Sequence, residues 1–196
     1  MDRIELKNLA KNQISSNLGT FVIIYLIVFA LVVAAGCISS TIAYFLGILL
    51  EFSLISIYLK LSDDIVPDGK SIFDIFKNVR LCGNSLILYV LLSIFTTLWS
   101  LLLIVPGIIK ALSYSMAPYI LLENEYYMTP MDAIKESQQL MEGHKMELFE
   151  LYLSFIGWYL LGIATCGLAL FYAEPYFGMT MVNFYNKIKN EPEIIQ

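Results

Sequence analysis

Two long stretches of this 196-residue chain carry no charge: Leu18 to Ile38 and Ser85 to Ile109. A run of about 18 or more apolar residues, wound as a helix, spans roughly 30 Å of hydrocarbon. A compact soluble domain has little room for one such helix, let alone two. Composition points the same way, with 58% hydrophobic residues, 15% charged residues and a mean hydropathy of +0.71. Soluble domains average about 45–50% apolar and about 25% charged. The expected fold class is therefore all-α, an integral membrane bundle. The first seventeen residues are polar and charged, and no small-residue cleavage site follows a short apolar core. Leu18 onward reads as a retained first span rather than a signal peptide.

Six candidate spans can be placed: about Leu18–Ile38, Thr41–Leu61, Ser85–Val105, Pro106–Leu122, Leu148–Thr165 and Gly167–Tyr185. The fourth is the weakest, being short and carrying Lys110 and Pro118. A membrane helix tolerates such a proline when its neighbours satisfy the freed carbonyl. With six crossings, Arg3, Lys7, Lys11, Lys60, Lys70, Lys77, Arg80, Lys135, Lys145, Lys187 and Lys189 all fall on one side. The opposite connections, at Ser39–Ser40, Val105–Pro106–Gly107 and Cys166–Gly167, carry no charge. The bias of Lys and Arg towards the cytoplasm makes the charged side cytoplasmic, with both termini there. Three tight outer corners make three helical hairpins. Cys37 and Cys166 both fall near the outer surface, where a disulfide between them stays open as an alternative to two free thiols.

A short amphipathic helix precedes each hairpin and is expected to lie in the cytoplasmic interface. The first runs from about Asp2 to Ser16, with an Asp2/Glu5 capping box and an apolar face of Leu6, Leu9 and Ala10. The second starts at Ser71 with Asp74 as box partner, and its stripe is Ile72, Ile75, Phe76 and Val79. The third starts at Thr129, with Pro130 at its first position, a stripe of Ala133, Ile134, Leu140 and Met141, and Gly143 at its end. Ala10-Lys11, Phe76-Lys77 and Ile134-Lys135 recur in similar places, followed by Gly19, Gly83 and Gly143 and then Tyr25, Tyr89 and Tyr152. Three units follow, at 1–61, 71–122 and 129–187, with a flexible cytoplasmic tail at 188–196. A true internal triplication and three unrelated linkers both fit this pattern.

Three charges lie inside spans: Glu51, Lys110 and Glu174. A charge at the bilayer centre costs roughly 2.5–3.5 kcal/mol on insertion scales, so such residues face the bundle interior, find a partner or become neutral. A Lys110–Glu174 pair is the plausible partnership, and Glu51 has no opposite charge at its depth. These three form the candidate polar site, read either as points on a solute or proton path or as groups that fix helix register. Pro106, Gly107, Pro118, Gly143 and Pro175 are the candidate corners and kinks. Trp99 and Trp158 are expected to anchor or pack their spans.

No pattern of a nucleophilic or nucleotide-binding site is present, and His144 is the only histidine, so a histidine-based metal cluster cannot be built. Asp63, Asp64, Asp68 and Asp74 lack the ligand spacing of a defined cation loop and read as solvated. No catalytic residue, metal or cofactor is expected. Nucleic acid is excluded as a partner, since no basic patch interleaved with aromatics exists. Membrane lipids are the expected partners, and a membrane-protein partner or homo-oligomer is compatible with such a bundle.

The stretch LWSLLLIVPGIIKALSYSMAPYILLEN, then AIKESQQLMEGHKMELFELYLSFIGWYLLG, then PYFGMTMVNFY resembles the bacterial multi-pass membrane family catalogued as domain of unknown function 975. The PGIIKALSY, S-x-x-LM-x-G-H-K and LSFIGW blocks carry the likeness, and LKNLAKNQ to Gly19 is similar to the family's opening. The resemblance implies a bacterial plasma-membrane location and six or so spans, and it implies no activity. Glu174 stands just before Pro175-Tyr176 and is not part of that pattern.

Three functional readings follow. The first is a non-enzymatic membrane component: an exporter accessory, an envelope-stress or peptide-immunity factor, or a lipid-organising scaffold. The second is a small channel or secondary transporter using Glu51, Lys110 and Glu174. The third is an intramembrane lipid-modifying enzyme. A transporter needs a water-accessible space leading to the buried charges, a scaffold a dry and well-packed bundle, and an enzyme converging polar groups at headgroup depth.

Overall fold

The computed structural model describes residues 2–66, 68–124 and 127–191. Every regular element among them is helical. In chain order they are α1 (Arg3–Ser15), α2 (Leu18–Ile38), α3 (Ser40–Ser62), a 3-10 helix (Gly69–Lys77), α4 (Val79–Leu102), α5 (Ile104–Tyr114), α6 (Ala117–Glu123), α7 (Pro130–Leu140), α8 (Lys145–Leu153), α9 (Ile156–Ala164) and α10 (Leu170–Asn190).

Five segments are long and apolar enough to cross a membrane: Leu18–Ile38, Ser40–Ser62, Val79–Leu102, Ile104–Glu123 and Lys145–Ala164. The last two are each built from two helices, α5 with α6 and α8 with α9. The expected sixth, α10, is long enough at 21 residues but too polar to qualify. Its surroundings account for that polarity. Eleven of its residues, from Ala173 to Ile188, are buried inside the chain's own bundle, so protein rather than lipid covers it.

Helices α2 and α3, α4 and α5, and α9 and α10 pack as neighbours. In each pair the second element is the more buried, with α3, α5–α6 and α10 supplying most of the core. Helix α3 packs against both α6 and α10. The first elements sit outside and turn an apolar stripe outwards, Ile23, Leu26, Phe29 and Val33 on α2 and Ile87, Val90, Ile94 and Leu98 on α4. That spacing is one helical face, suited to acyl chains.

The corners repeat in detail. Ser39 (φ −162°, ψ 133°) and Leu103 (φ −161°, ψ 142°) are single extended residues joining two helices. The second corner thus lies at Leu103, ahead of the expected Val105–Pro106–Gly107, because α5 begins at Ile104 and takes Pro106 and Gly107 into its first turn. Proline is tolerated there, since the amides of a first turn have no intrahelical partner. Gly107 serves close packing instead: a Cβ at that position would stand 2.8 Å from the Cα of Ser100 on α4. The third corner is built differently, with Cys166 (φ 50°) and Gly167 (φ 92°) both left-handed. Even so, Tyr25 precedes Ser39, Tyr89 precedes Leu103 and Tyr152 precedes Cys166 by the same 14 residues.

The three amphipathic segments pack against the bundle. Helix α1 has the expected capping box of Asp2 and Glu5. Its buried face is Leu6, Ala10 and Ile14, whereas Leu9 is exposed, and it lies along α10. The second segment is a 3-10 helix with no side-chain cap, not an α-helix opened by Ser71 and Asp74. It buries Ile72 and Ile75 against α3 but leaves Phe76 exposed, and Val79, expected in its stripe, is instead the exposed first residue of α4. Asp74 is not available for capping, because Lys60 (2.9 Å) and Lys77 (2.7 Å) both bind it. The third, α7, starts as expected, with Thr129 Oγ1 accepting from the Asp132 amide, and Gly143 takes a φ of +83° just beyond its end. The 3-10 helix packs mainly on α3, α7 mainly on α6 and α1 mainly on α10. The C-terminal tail begins later than residue 188, since α10 continues to Asn190, and residues 192–196 lie outside the described part.

Candidate functional site

Glu51 lies midway along α3. It is exposed, although Leu50, Phe52 and Ser53 beside it are buried. Glu174, near the start of α10, is half-buried. Among the described residues neither carboxylate has a cation within ion-pair distance.

Lys110 is not part of this group. Its ammonium stands 5.1 Å from the centroid of the Trp99 ring, a cation–π contact between α5 and α4. The expected Lys110–Glu174 pair is not formed, because the nearest partner across the tight α4–α5 corner is an aromatic ring. Trp158 packs against Tyr172 and Tyr176 of α10.

Tyrosines pair between the helices. Tyr25 and Tyr58 share a 2.7 Å hydroxyl hydrogen bond, and Phe21 stacks on Tyr58. Tyr44 donates to Tyr89 at 3.4 Å. Gly178 of α10 makes room for the Tyr58 ring, which a Cβ there would overlap. Towards the charged end, Tyr119 stacks on Tyr185, whose hydroxyl donates to Glu123 at 2.6 Å. The sequence marks Tyr25 and Tyr89 as recurring positions but not their pairing with Tyr58 and Tyr44; the available signal was 13 tyrosines in 196 residues.

Two helix breaks sit inside spans, and each is repaired by an amphipathic segment. Between α5 and α6, Ser137 of α7 donates to the Ser113 carbonyl (2.8 Å) and accepts from the Met116 amide (3.2 Å). Pro118 lies in the first turn of α6, just past this break. Between α8 and α9, Lys7 of α1 donates to the Ser154 carbonyl and hydroxyl, with its ammonium 4.4 Å from the Phe155 ring centroid. Burial, helped by the neighbouring charge of Arg3, holds that ammonium below the usual lysine range. Pro175 stays within an unbroken α10. Cys37, Cys82 and Cys166 are free thiols, so the Cys37–Cys166 disulfide is not formed.

An all-helical chain with five apolar segments of membrane-spanning length, and charges gathered at the segment ends, has the build of a multi-pass membrane protein. Residues 101–192 match the family described as Protein of unknown function (DUF975), the family that the sequence blocks resemble. The LKNLAKNQ stretch lies outside the matched residues. No curated protein and no solved structure matches the chain.

Proposed function

We propose that the chain crosses a bacterial plasma membrane six times, as three hairpins with both termini cytoplasmic, and that it works without catalysis by passing or binding a cation with Glu51 and Glu174. The observation that carries this reading is two carboxylates within the helices, Glu51 midway along α3 and Glu174 near the start of α10, with no ion-pair partner among the described residues. Such groups are costly in a bilayer unless a proton or a cation neutralises them. That is the ground for the channel or transporter reading, with Glu51 and Glu174 as its groups and without Lys110.

The sixth crossing rests on ion pairs. The C-terminal end of α10 binds Glu123 through Lys189 and Glu147 through Lys187. Glu123 ends α6 and Glu147 begins α8, so both belong to one face. Helix α10 starts beyond the far end of α9 and returns to that face, so it crosses the same thickness as α8 and α9.

Purified protein in vesicles tests the function. Proton or monovalent-cation flux should exceed that of empty vesicles and fall at least about ten-fold in Glu51→Gln and Glu174→Gln. Flux no greater than that of empty vesicles would count against transport. The accessory or scaffold reading, which the stitched helix breaks support, would then stand in its place.

A further inference from the structure

A second polar feature is a cleft of about 920 Å³ at the charged end of the bundle, between α3, the 3-10 helix, α4, α6 and α10. Its ionic lining is Lys60, Asp63, Asp74, Lys77, Arg80 and Glu123. The acids are unevenly used. Glu123 is taken by Lys189 and Tyr185. Asp74 is shared by Lys60 and Lys77, which leaves that trio with one positive charge in excess. Arg80 is exposed and makes no ion pair among the described residues. The three cations and three acids of the lining balance, but Lys189 from outside the cleft offsets Glu123, so the remaining groups keep one positive charge in excess. Leu59, Val79 and Leu122 supply apolar wall beside these groups.

The position matters as much as the charge. The cleft lies where the apolar lengths of α3, α4 and α6 end, which is the depth of phospholipid headgroups. A guanidinium with no ion-pair partner among the described residues, next to two lysines sharing one carboxylate, suits a phosphate oxygen pair, which arginine binds in fork geometry. We infer that this cleft is a binding site for an anionic phosphodiester, anchored on Arg80 with Lys60 and Lys77 behind it. A lipid headgroup, its acyl chains along the apolar wall, and a soluble phosphate compound share that chemistry.

The test uses the full chain in detergent and reads the thermal unfolding midpoint. Phosphatidylglycerol in mixed micelles is titrated against phosphatidylcholine, and inorganic phosphate is titrated separately. Phosphatidylglycerol should raise the midpoint saturably. Arg80→Gln should raise the half-saturating concentration about ten-fold, the loss of one charge-assisted contact. Lys135→Gln, which removes an exposed lysine outside the cleft, should leave it unchanged. Stabilisation by inorganic phosphate with the same dependence on Arg80 supports the site and assigns it to a soluble ligand. Equal responses of Arg80→Gln and Lys135→Gln, or a wild-type response to phosphatidylcholine equal to that for phosphatidylglycerol, would overturn the assignment.

Discussion

Single side chains hold the inner helices together. Gly178 lets α10 approach Tyr58, and that ring is fixed by its bond to Tyr25 and by burial. Close approach at small residues is a main source of helix association in lipid. Gly178→Ala should therefore lower unfolding stability in detergent by about 1–3 kcal/mol, the usual cost of overpacking. Gly157, whose Cβ would meet open space, is the control and should tolerate the same change. Ser137 is the second test. Replacing it with Ala leaves the Ser113 carbonyl and the Met116 amide without their partner and should cost about 1–3 kcal/mol, read in the same assay. At this scale the sequence was legible where chemistry is local. Asp2 with Glu5 and Thr129 with Asp132 cap the helices they were expected to cap. Lys110 was misread because a sequence orders charges along a chain but does not show that Trp99 comes back beside it across the corner.

At the scale of elements, the amphipathic segments teach the most. Their apolar stripes were visible, but not what they face. A stripe looks the same whether lipid headgroups or neighbouring helices cover it, and here the neighbours are α10, α3 and α6. Burial also explains the misjudged members: Leu9 and Phe76 sit at the edges of stripes whose centres, Ala10 and Ile75, are covered. The 3-10 helix depends on Asp74, which its two lysines hold below the usual carboxylate range. Its folded value being depressed, the stabilisation is present at pH above the ordinary carboxyl value of 3.8 and is lost as pH falls through the lowered value. Amide protection factors in the segment Gly69–Lys77, taken relative to the intrinsic exchange rate at each pH, should accordingly fall on acidification into that range, and Asp74→Asn should show reduced protection at neutral pH.

For the whole molecule, the charge pattern sets the expected topology, and α10 is the helix on which that expectation turns. An inner helix shielded by others can be polar, so hydropathy counts five spans where the ion pairs at its end support six. The native thiols can decide. Cys37 and Cys166 sit at or beside two uncharged corners and are exposed, whereas Cys82 lies in the opening turns of α4 next to Arg80. A membrane-impermeant maleimide applied to intact cells should label Cys37 and Cys166 and spare Cys82. The reverse pattern would place both termini outside.

The docking of α1 on α10 has a consequence for biogenesis. Gln13 accepts from Asn183 at 2.9 Å and Lys7 reaches Ser154, contacts spanning 170 and 147 residues of chain. Helix α1 is thus made long before α10, its main seat, and until α10 is in place the face of Leu6, Ala10 and Ile14 lacks most of its cover. A copy cut short before α10 would leave that apolar face bare, open to off-pathway association.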